Sequence, residues 1–345
     1  MAEQNSNAKA KTEQFDSSLF QPVEFNEQAG ERIAGKSLNF WQDAWTRLRK
    51  NKAAILSLAV ILIIALLSLI GPSLSGNDAY TQTITQAKLP PKVSGLEWAG
   101  FDGMATLGDK PIDFYETKQV EENFWFGTDH LGRDLWSRVW EGTRVSLFIG
   151  LMAAIIDVIV GVTYGGVSAY YGGRVDNIMQ RIAEILTGIP NLILIILFIL
   201  ILEPGIITII LAMTITGWIG MSRLVRGQIL KLKNQEFVLA ARTLGASSAR
   251  LIFKHLIPNT LGTIIISLMF TIPSAIFFEA FLSFIGLGLA PPQPSLGTLI
   301  NEGYKELKTF PYLLVIPSTV LVLVMISFNM LADGLRDAFD PRLRR

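Results

Sequence analysis

Cysteine is absent from this chain, which excludes disulfides, thiolate metal sites and a cysteine nucleophile. Histidine occurs only as His130 and His255, and no Ser, His and Asp set suggests a nucleophile. Charge is scarce as well: Asp, Glu, Lys and Arg make up 17% of 345 residues and nearly cancel to a net +1, which argues against a nucleic-acid partner. No apolar h-region begins near Met1, so no cleavable signal peptide is expected. Apolar residues are what the chain has, at 50% with a mean hydropathy of +0.41, and such a composition belongs to an integral membrane protein.

Six apolar runs are long enough to cross a bilayer: residues 53–71, 145–170, 180–202, 205–222, 260–285 and 312–332. The fourth is short and carries Gly217 and Gly220, but it must follow the hairpin signal Glu203-Pro204-Gly205. Orientation follows from Lys and Arg in the short loops and flanks. Arg47, Arg49, Lys50 and Lys52 precede the first run, Arg174 and Arg181 lie between the second and third, and more basic residues fill 221–258 and the tail after 333. The turn between the third and fourth runs has none. Both termini and the segment between the fourth and fifth runs are therefore expected in the cytoplasm of a bacterial cell, with the chain multi-pass in the plasma (inner) membrane. His130 and His255 then fall on opposite sides of it.

The expected organisation is all-α, with six transmembrane helices, a cytoplasmic coupling helix, an N-terminal interfacial helix and a long external loop between spans one and two. Residues 1–36, polar and rich in Gln, Glu, Asn and Ser, read as a disordered cytoplasmic tail. In 37–52, Leu38, Trp41, Trp45 and Leu48 recur at helical spacing behind Ser37, a suitable N-cap, as in an amphipathic helix lying in the headgroup region. Residues 53–71 form the first span, 72–144 an extracytoplasmic subdomain of unread fold, 145–332 the core with a coupling loop at 233–258, and 333–345 a cytoplasmic tail. Gly161 and Gly165 make a G-x-x-x-G step for close helix packing, and Pro190, Pro273 and Pro317 bend the third, fifth and sixth spans.

The segment Glu236 to Asn259, EFVLAARTLGASSARLIFKHLIPN, is the most informative. Phe237, Ala240, Ala241 and Leu244 fall at i, i+3, i+4 and i+7 and put one apolar stripe along a short helix. Gly245 ends that helix, and Ser247 or Ser248 can cap a second one carrying Arg250, Leu251, Ile252, Lys254 and His255. Two alanines at the centre of the stripe allow a partner's backbone to approach, while Arg242, Arg250 and Lys254 surround the contact with positive charge. The pattern suits a docking surface rather than a catalytic one.

These residues resemble the cytoplasmic loop of binding-protein-dependent permeases of type I ATP-driven (ABC) importers, whose pattern is E-A-A, three residues, G, nine residues, I-x-L-P. Ala240, Ala241, Gly245 and Pro258 stand at matching places, while Leu239, His255 and Ile257 depart from the general pattern. Ala240 to Ser247 and Lys254 to Asn259 are similar to the oligopeptide and dipeptide branch. Gly127 to Leu147 resembles the segment before the second span of the C-type permease subunit of that branch, and Asp333-Gly334-Leu335-Arg336-Asp337 with Asp340-Pro341-Arg342 resembles its end. The resemblance implies half of a translocation pathway for peptides, with no ATPase site of its own. The implied partners are a homologous second permease subunit, one or two cytosolic ATPase subunits that bind ATP and Mg, and an extracytoplasmic substrate-binding protein. Near relatives carry nickel or other small solutes. The implied ATPase-coupling residues are Glu236, Phe237, Ala240, Ala241, Arg242, Leu244, Gly245, Ala246, Ser247 and Arg250.

Other motifs point to chemistry less strongly. Gly30 with Gly35-Lys36-Ser37 fits the letters of a P-loop, but no buried strand precedes it, so ATP is expected on another chain and no cofactor on this one. Asp129, His130 and Asp134 could share a helix face, but they lack a fourth ligand, and a turn-and-cap network among Gly127, Gly132 and Arg133 is the expectation, without metal. Asp157, Glu184 and Glu279 are ionisable groups inside spans. Asp157 sits deepest and is expected to face the pathway, meeting either a partner's polar group or a peptide's amino end; Glu184 and Glu279 sit near span ends, where each could reach an interface. A proton-coupled secondary transporter using these carboxylates is the alternative, although neither inverted repeats nor a discontinuous helix is evident in the sequence. A scaffold without transport is a third reading.

Overall fold

A computed structural model describes residues 39–107 and 110–339. The P-loop letters at 30–37, the cap at Ser37, Leu38, the tail 1–36 and the closing Asp340-Pro341-Arg342 lie outside the described residues. Contacts divide the chain into two units, Met1–Gln42 and Asp43–Arg345. Of the first, residues 39–42 are described and contain the opening of helix α1 (Phe40–Lys50); the rest of α1 and every later element belong to the second.

In α1, Asp43 in the first turn and Arg47, Arg49 and Lys50 in the last complement the helix dipole, and Asp43 pairs with Arg47 at 3.1 Å. Trp45 stays exposed, whereas Leu48 turns inward onto Ala54, Leu335 and Ala338. Asn51 accepts a hydrogen bond from the Ala54 N–H at 3.2 Å and caps the uniformly apolar α2 (Lys52–Leu74).

The segment after α2 holds a short antiparallel hairpin, β1 (Met104–Leu107) and β2 (Lys110–Asp113), followed by α3 (Phe114–Lys118). It has a small core of Leu89, Tyr115 and Phe124. The Tyr115 hydroxyl donates to the Pro90 carbonyl at 2.9 Å, and burial raises its pKa above the ordinary phenol value. The second long helix, α4 (Leu135–Tyr171), begins ten residues before the apolar run at 145 because Asp134 caps it, accepting from the Ser137 N–H at 3.1 Å. Burial pushes the Asp134 carboxyl above its usual range while hydrogen bonds from Ser137 and Ser75 oppose that rise.

The third expected span is broken. Helices α5 (Gly173–Thr187) and α6 (Asn191–Leu202) meet at 77°, because Pro190 lacks the N–H that would continue the ladder and disfavours helix in the residue before it. The discontinuous helix judged absent from the sequence is therefore present. The fourth expected span is the first part of α7 (Ile206–Leu232), which continues ten residues beyond 222. Its basic continuation is anchored: Arg226 donates to both Asp176 oxygens at 2.7 and 2.6 Å, and Lys233 donates to the Ala169 carbonyl at 3.0 Å.

A short helix, α8 (Glu236–Thr243), leads into a rod, α9 (Ser248–Phe284), which contains a π-helical stretch at Leu251–Leu256 and starts well before the expected 260. The loop after α9 carries α10 (Leu296–Lys305), which the apolar runs did not reveal. Finally α11 (Tyr312–Phe339) absorbs residues 333–339 of the expected tail, and Ala338 is buried there. Five described helices are long and apolar enough to cross a membrane, or six if the bent pair counts as one span. Gly161 and Gly165 of α4 lie directly against α7, where an added Cβ would meet the Trp218 and Ser222 carbonyl oxygens at 2.6 and 2.3 Å.

Candidate functional site

Two features of the fold stand out as functional surfaces: the α8 turn at one end of the helices, and a cleft around Asp157 between them.

At the α8 turn, the Gly245 N–H donates to the Arg242 carbonyl and the Ala246 N–H to the Ala241 carbonyl, both at 3.0 Å, with Gly245 at φ +81°. This crossed pair is a Schellman closure, and it requires the left-handed conformation that glycine adopts without strain. Ser247 then caps α9 through the Arg250 N–H at 3.4 Å. The hairpin is rooted by Val238, 0% exposed, which packs with Val225, Ile229, Leu251 and Leu256. The expected stripe divides on this root. Phe237, Ala240 and Leu244 face outward, Leu244 at 88% exposed, while Ala241 and Ala246 are half-buried against the hairpin's own core. Glu236, Arg242, Ser247 and Arg250 are exposed around the outward face, and Arg242 also lies 5.7 Å from the centre of the Tyr170 ring. Periodicity gave the stripe but not its division, because Val238, one position from Phe237, was not counted among its members.

Asp157 of α4 is 7% exposed and lines a cleft of about 350 Å³ with Asn191, Ser267, Phe270, Thr271 and Ser274. Its Oδ1 has no hydrogen-bond partner among the described residues. Gly217 makes room for the carboxylate, since a Cβ there would lie 2.4 Å from Oδ2.

Comparison with known proteins decides the family. Residues 157–345 match the model described as binding-protein-dependent transport system inner membrane component, and residues 39–91 match the N-terminal TM domain of oligopeptide transport permease C. The chain is 43% identical over 327 residues to the oligopeptide transport system permease protein OppC of Bacillus subtilis, covering 95% of this chain and 98% of that one. The chain belongs to the binding-protein-dependent transport permeases. The dipeptide transport system permease protein DppC of B. subtilis is 46% identical over 310 residues, covering 90% and 88% of the two chains. Among solved structures, the MetNI methionine ABC transporter in inward-facing conformations aligns with a TM-score of 0.48 at 18% identity, covering 59% of this chain and 97% of that one.

The other two carboxylates expected inside spans, Glu279 and Glu184, have partners of their own. Glu279, expected to reach an interface, is instead 0% exposed and accepts hydrogen bonds from Ser146 and Ser283, both at 2.8 Å. Glu184 is exposed on α5 and pairs with Arg181 at 3.1 Å. The serine nest around Glu279 also receives α10. The Leu296 N–H donates to Ser146 Oγ at 3.2 Å, and Ser295 Oγ donates to Ser283 Oγ at 3.4 Å.

The expected network around His130 is larger than the sequence suggested. Asp129 contacts Arg133 at 2.6 Å and Arg138 at 3.2 Å, and both arginines reach Glu302 of α10, at 3.5 and 3.3 Å. Asp129, His130 and Glu302 come close enough to share an ion, but the two guanidiniums already occupy the carboxylates, and Asp134 is committed to its cap. Glu302 was missed because it lies far along the chain on a helix too short and polar to register as a span.

Proposed function

We propose that this permease forms half of the translocation pathway of an ATP-driven importer that takes up oligopeptides or dipeptides delivered by an extracytoplasmic binding protein. The observation that carries the reading is the α8 hairpin: an outward apolar and basic surface, closed by Gly245 and rooted in the core through Val238. The peptide cargo is supported by extensive identity with proteins named OppC and DppC. In this reading Glu236, Phe237, Ala240, Ala241, Arg242, Leu244, Gly245, Ala246, Ser247 and Arg250 form the ATPase-coupling surface, with Ala241 and Ala246 acting as its inner support. The chain itself is not an enzyme; ATP and Mg bind to one or two cytosolic ATPase subunits. A homologous second permease completes the pathway, and both termini face the cytoplasm of a bacterial inner membrane. ATP-driven closure of the ATPase subunits moves α8 and tilts the helices attached to it, a two-state change that nucleotide and loaded binding protein both bias.

The test is reconstitution with the partner permease, ATPase subunits and binding protein in proteoliposomes. Labelled peptide is expected to enter only with ATP, to be insensitive to a protonophore, and to be accompanied by faster ATP hydrolysis when loaded binding protein is added. Collapse of uptake by the protonophore with ATP present would overturn the reading in favour of proton coupling.

A further inference from the structure

The cleft around Asp157 has a one-sided chemistry. Asp157 places a carboxylate in it, and no basic side chain is among its lining residues. Two of its hydroxyls have already committed their protons to their own helix: Thr271 donates to the Ser267 carbonyl at 3.0 Å and Ser274 to the Phe270 carbonyl at 2.8 Å. Their oxygens therefore offer lone pairs to the cleft. The Asn191 side-chain Oδ1, which accepts from the Thr216 hydroxyl, adds a further acceptor. A carboxylate among hydroxyl oxygens, with Phe270 at its edge, favours a ligand that brings hydrogen-bond donors and positive charge.

Two other carboxylates on these helices are compensated where they lie. Glu279 is enclosed by serines, and Asp176 is neutralised by Arg226 and accepts from the Ser168 hydroxyl. Asp157 has neither compensation, although an unpaired carboxylate amid apolar helices is costly. Gly217 permits it to remain there: any side chain at that position would strike the carboxylate.

We infer that the Asp157 cleft is a transit subsite for a primary ammonium group, the amino end of a peptide in passage. This rests on the peptide-importer reading and assigns a substrate-contacting residue within it. An ammonium presents three donors, which suits a carboxylate oxygen together with the Thr271 and Ser274 oxygens. A lysine side chain carries the same group, so the experiment separates the two sources.

The probes are labelled Ala-Ala-Ala, its N-acetylated form and N-acetyl-Ala-Lys-Ala, bound at equilibrium to the assembled permease pair with its ATPase subunits in nanodiscs. Wild type is expected to bind Ala-Ala-Ala at least tenfold more tightly than the acetylated peptide. Asp157→Asn is expected to erase that difference while leaving the weak binding of the acetylated peptide unchanged. Ser274→Ala, at an exposed position, is expected to weaken only the free-amine peptide, by about threefold. Recovery of tight binding with N-acetyl-Ala-Lys-Ala would identify the side-chain ammonium as the ligand and overturn the assignment to the amino end. Equal discrimination by wild type and Asp157→Asn overturns the subsite, as does failure of Asp157→Asn to assemble, which would assign the carboxylate to the partner permease. If the wild-type importer transports none of these peptides but another solute, the peptide reading itself fails.

Discussion

Gly165 and Gly166 are adjacent in α4 and make opposite demands on space. A Cβ on Gly165 would stand 2.3 Å from the Ser222 carbonyl oxygen, a backbone atom that cannot rotate away. On Gly166 the nearest atom is a methyl of Ile252 at 3.5 Å, an ordinary contact. Gly165→Ala is therefore expected to destabilise the protein by about 1–3 kcal/mol through overpacking. Gly166→Ala is expected to be nearly neutral, aided by the better helix propensity of alanine. Thermal unfolding in detergent compares the two, and equal shifts would contradict the close α4–α7 approach. The Gly161–Gly165 step was legible because its spacing alone implies helix packing. Gly217 was not, since its reason is a carboxylate 60 positions earlier in the chain, and only the fold brings the two together. Asp157 was legible as a buried charge for the opposite reason: its cost is local. Val238 stands beside a more conspicuous stripe and carries no periodic signal of its own, although it is buried in the core that holds the hairpin down.

At the scale of elements, length and hydropathy revealed the helices that cross and missed the pieces that turn. The α5–α6 break lies inside one apolar stretch, so an averaging window passes over Pro190 although the residue itself carries the signal. Helix α10, with Asn301, Glu302 and Lys305 in ten residues, lacks the hydropathy of a span. Its place is set by the burial of Leu296 and Leu299 in the core and by polar contacts: Ser295 and Leu296 at the Glu279 nest, and Glu302 against Arg133 and Arg138. Arg138 is 1% exposed and joins Asp129 to Glu302, so removing it leaves both carboxylates with Arg133 alone and empties a buried position. Arg138→Ala is expected to cost about 1.5–3 kcal/mol, more than Glu302→Gln. In a double-mutant cycle of denaturation free energies the pair should couple by roughly 0.5–3 kcal/mol. Additive effects would show that α10 is held without this network.

Across the whole molecule, one helix joins the two polar regions. The α9 rod begins at the α8 turn and carries Glu279 near its other end, where the serine nest grips α10. Its 37 residues run without a break from the hairpin to the α10 end, through the π-helical stretch and Pro273. Leu244 tests whether force enters there. It contributes little to the fold, being 88% exposed, so Leu244→Asp is expected to leave the thermal midpoint unchanged. The same change places a negative charge on the surface proposed to receive the ATPase subunit, and co-purification of that subunit is expected to fall at least tenfold, about 1.4 kcal/mol or more in binding. Gly245→Val acts differently, because a β-branched residue at φ +81° strains the turn itself, and it should lower both association and local stability. Measuring the two variants side by side separates lost contact from lost shape. If Leu244→Asp retains the ATPase subunit and full peptide uptake, the motor engages some other part of the chain.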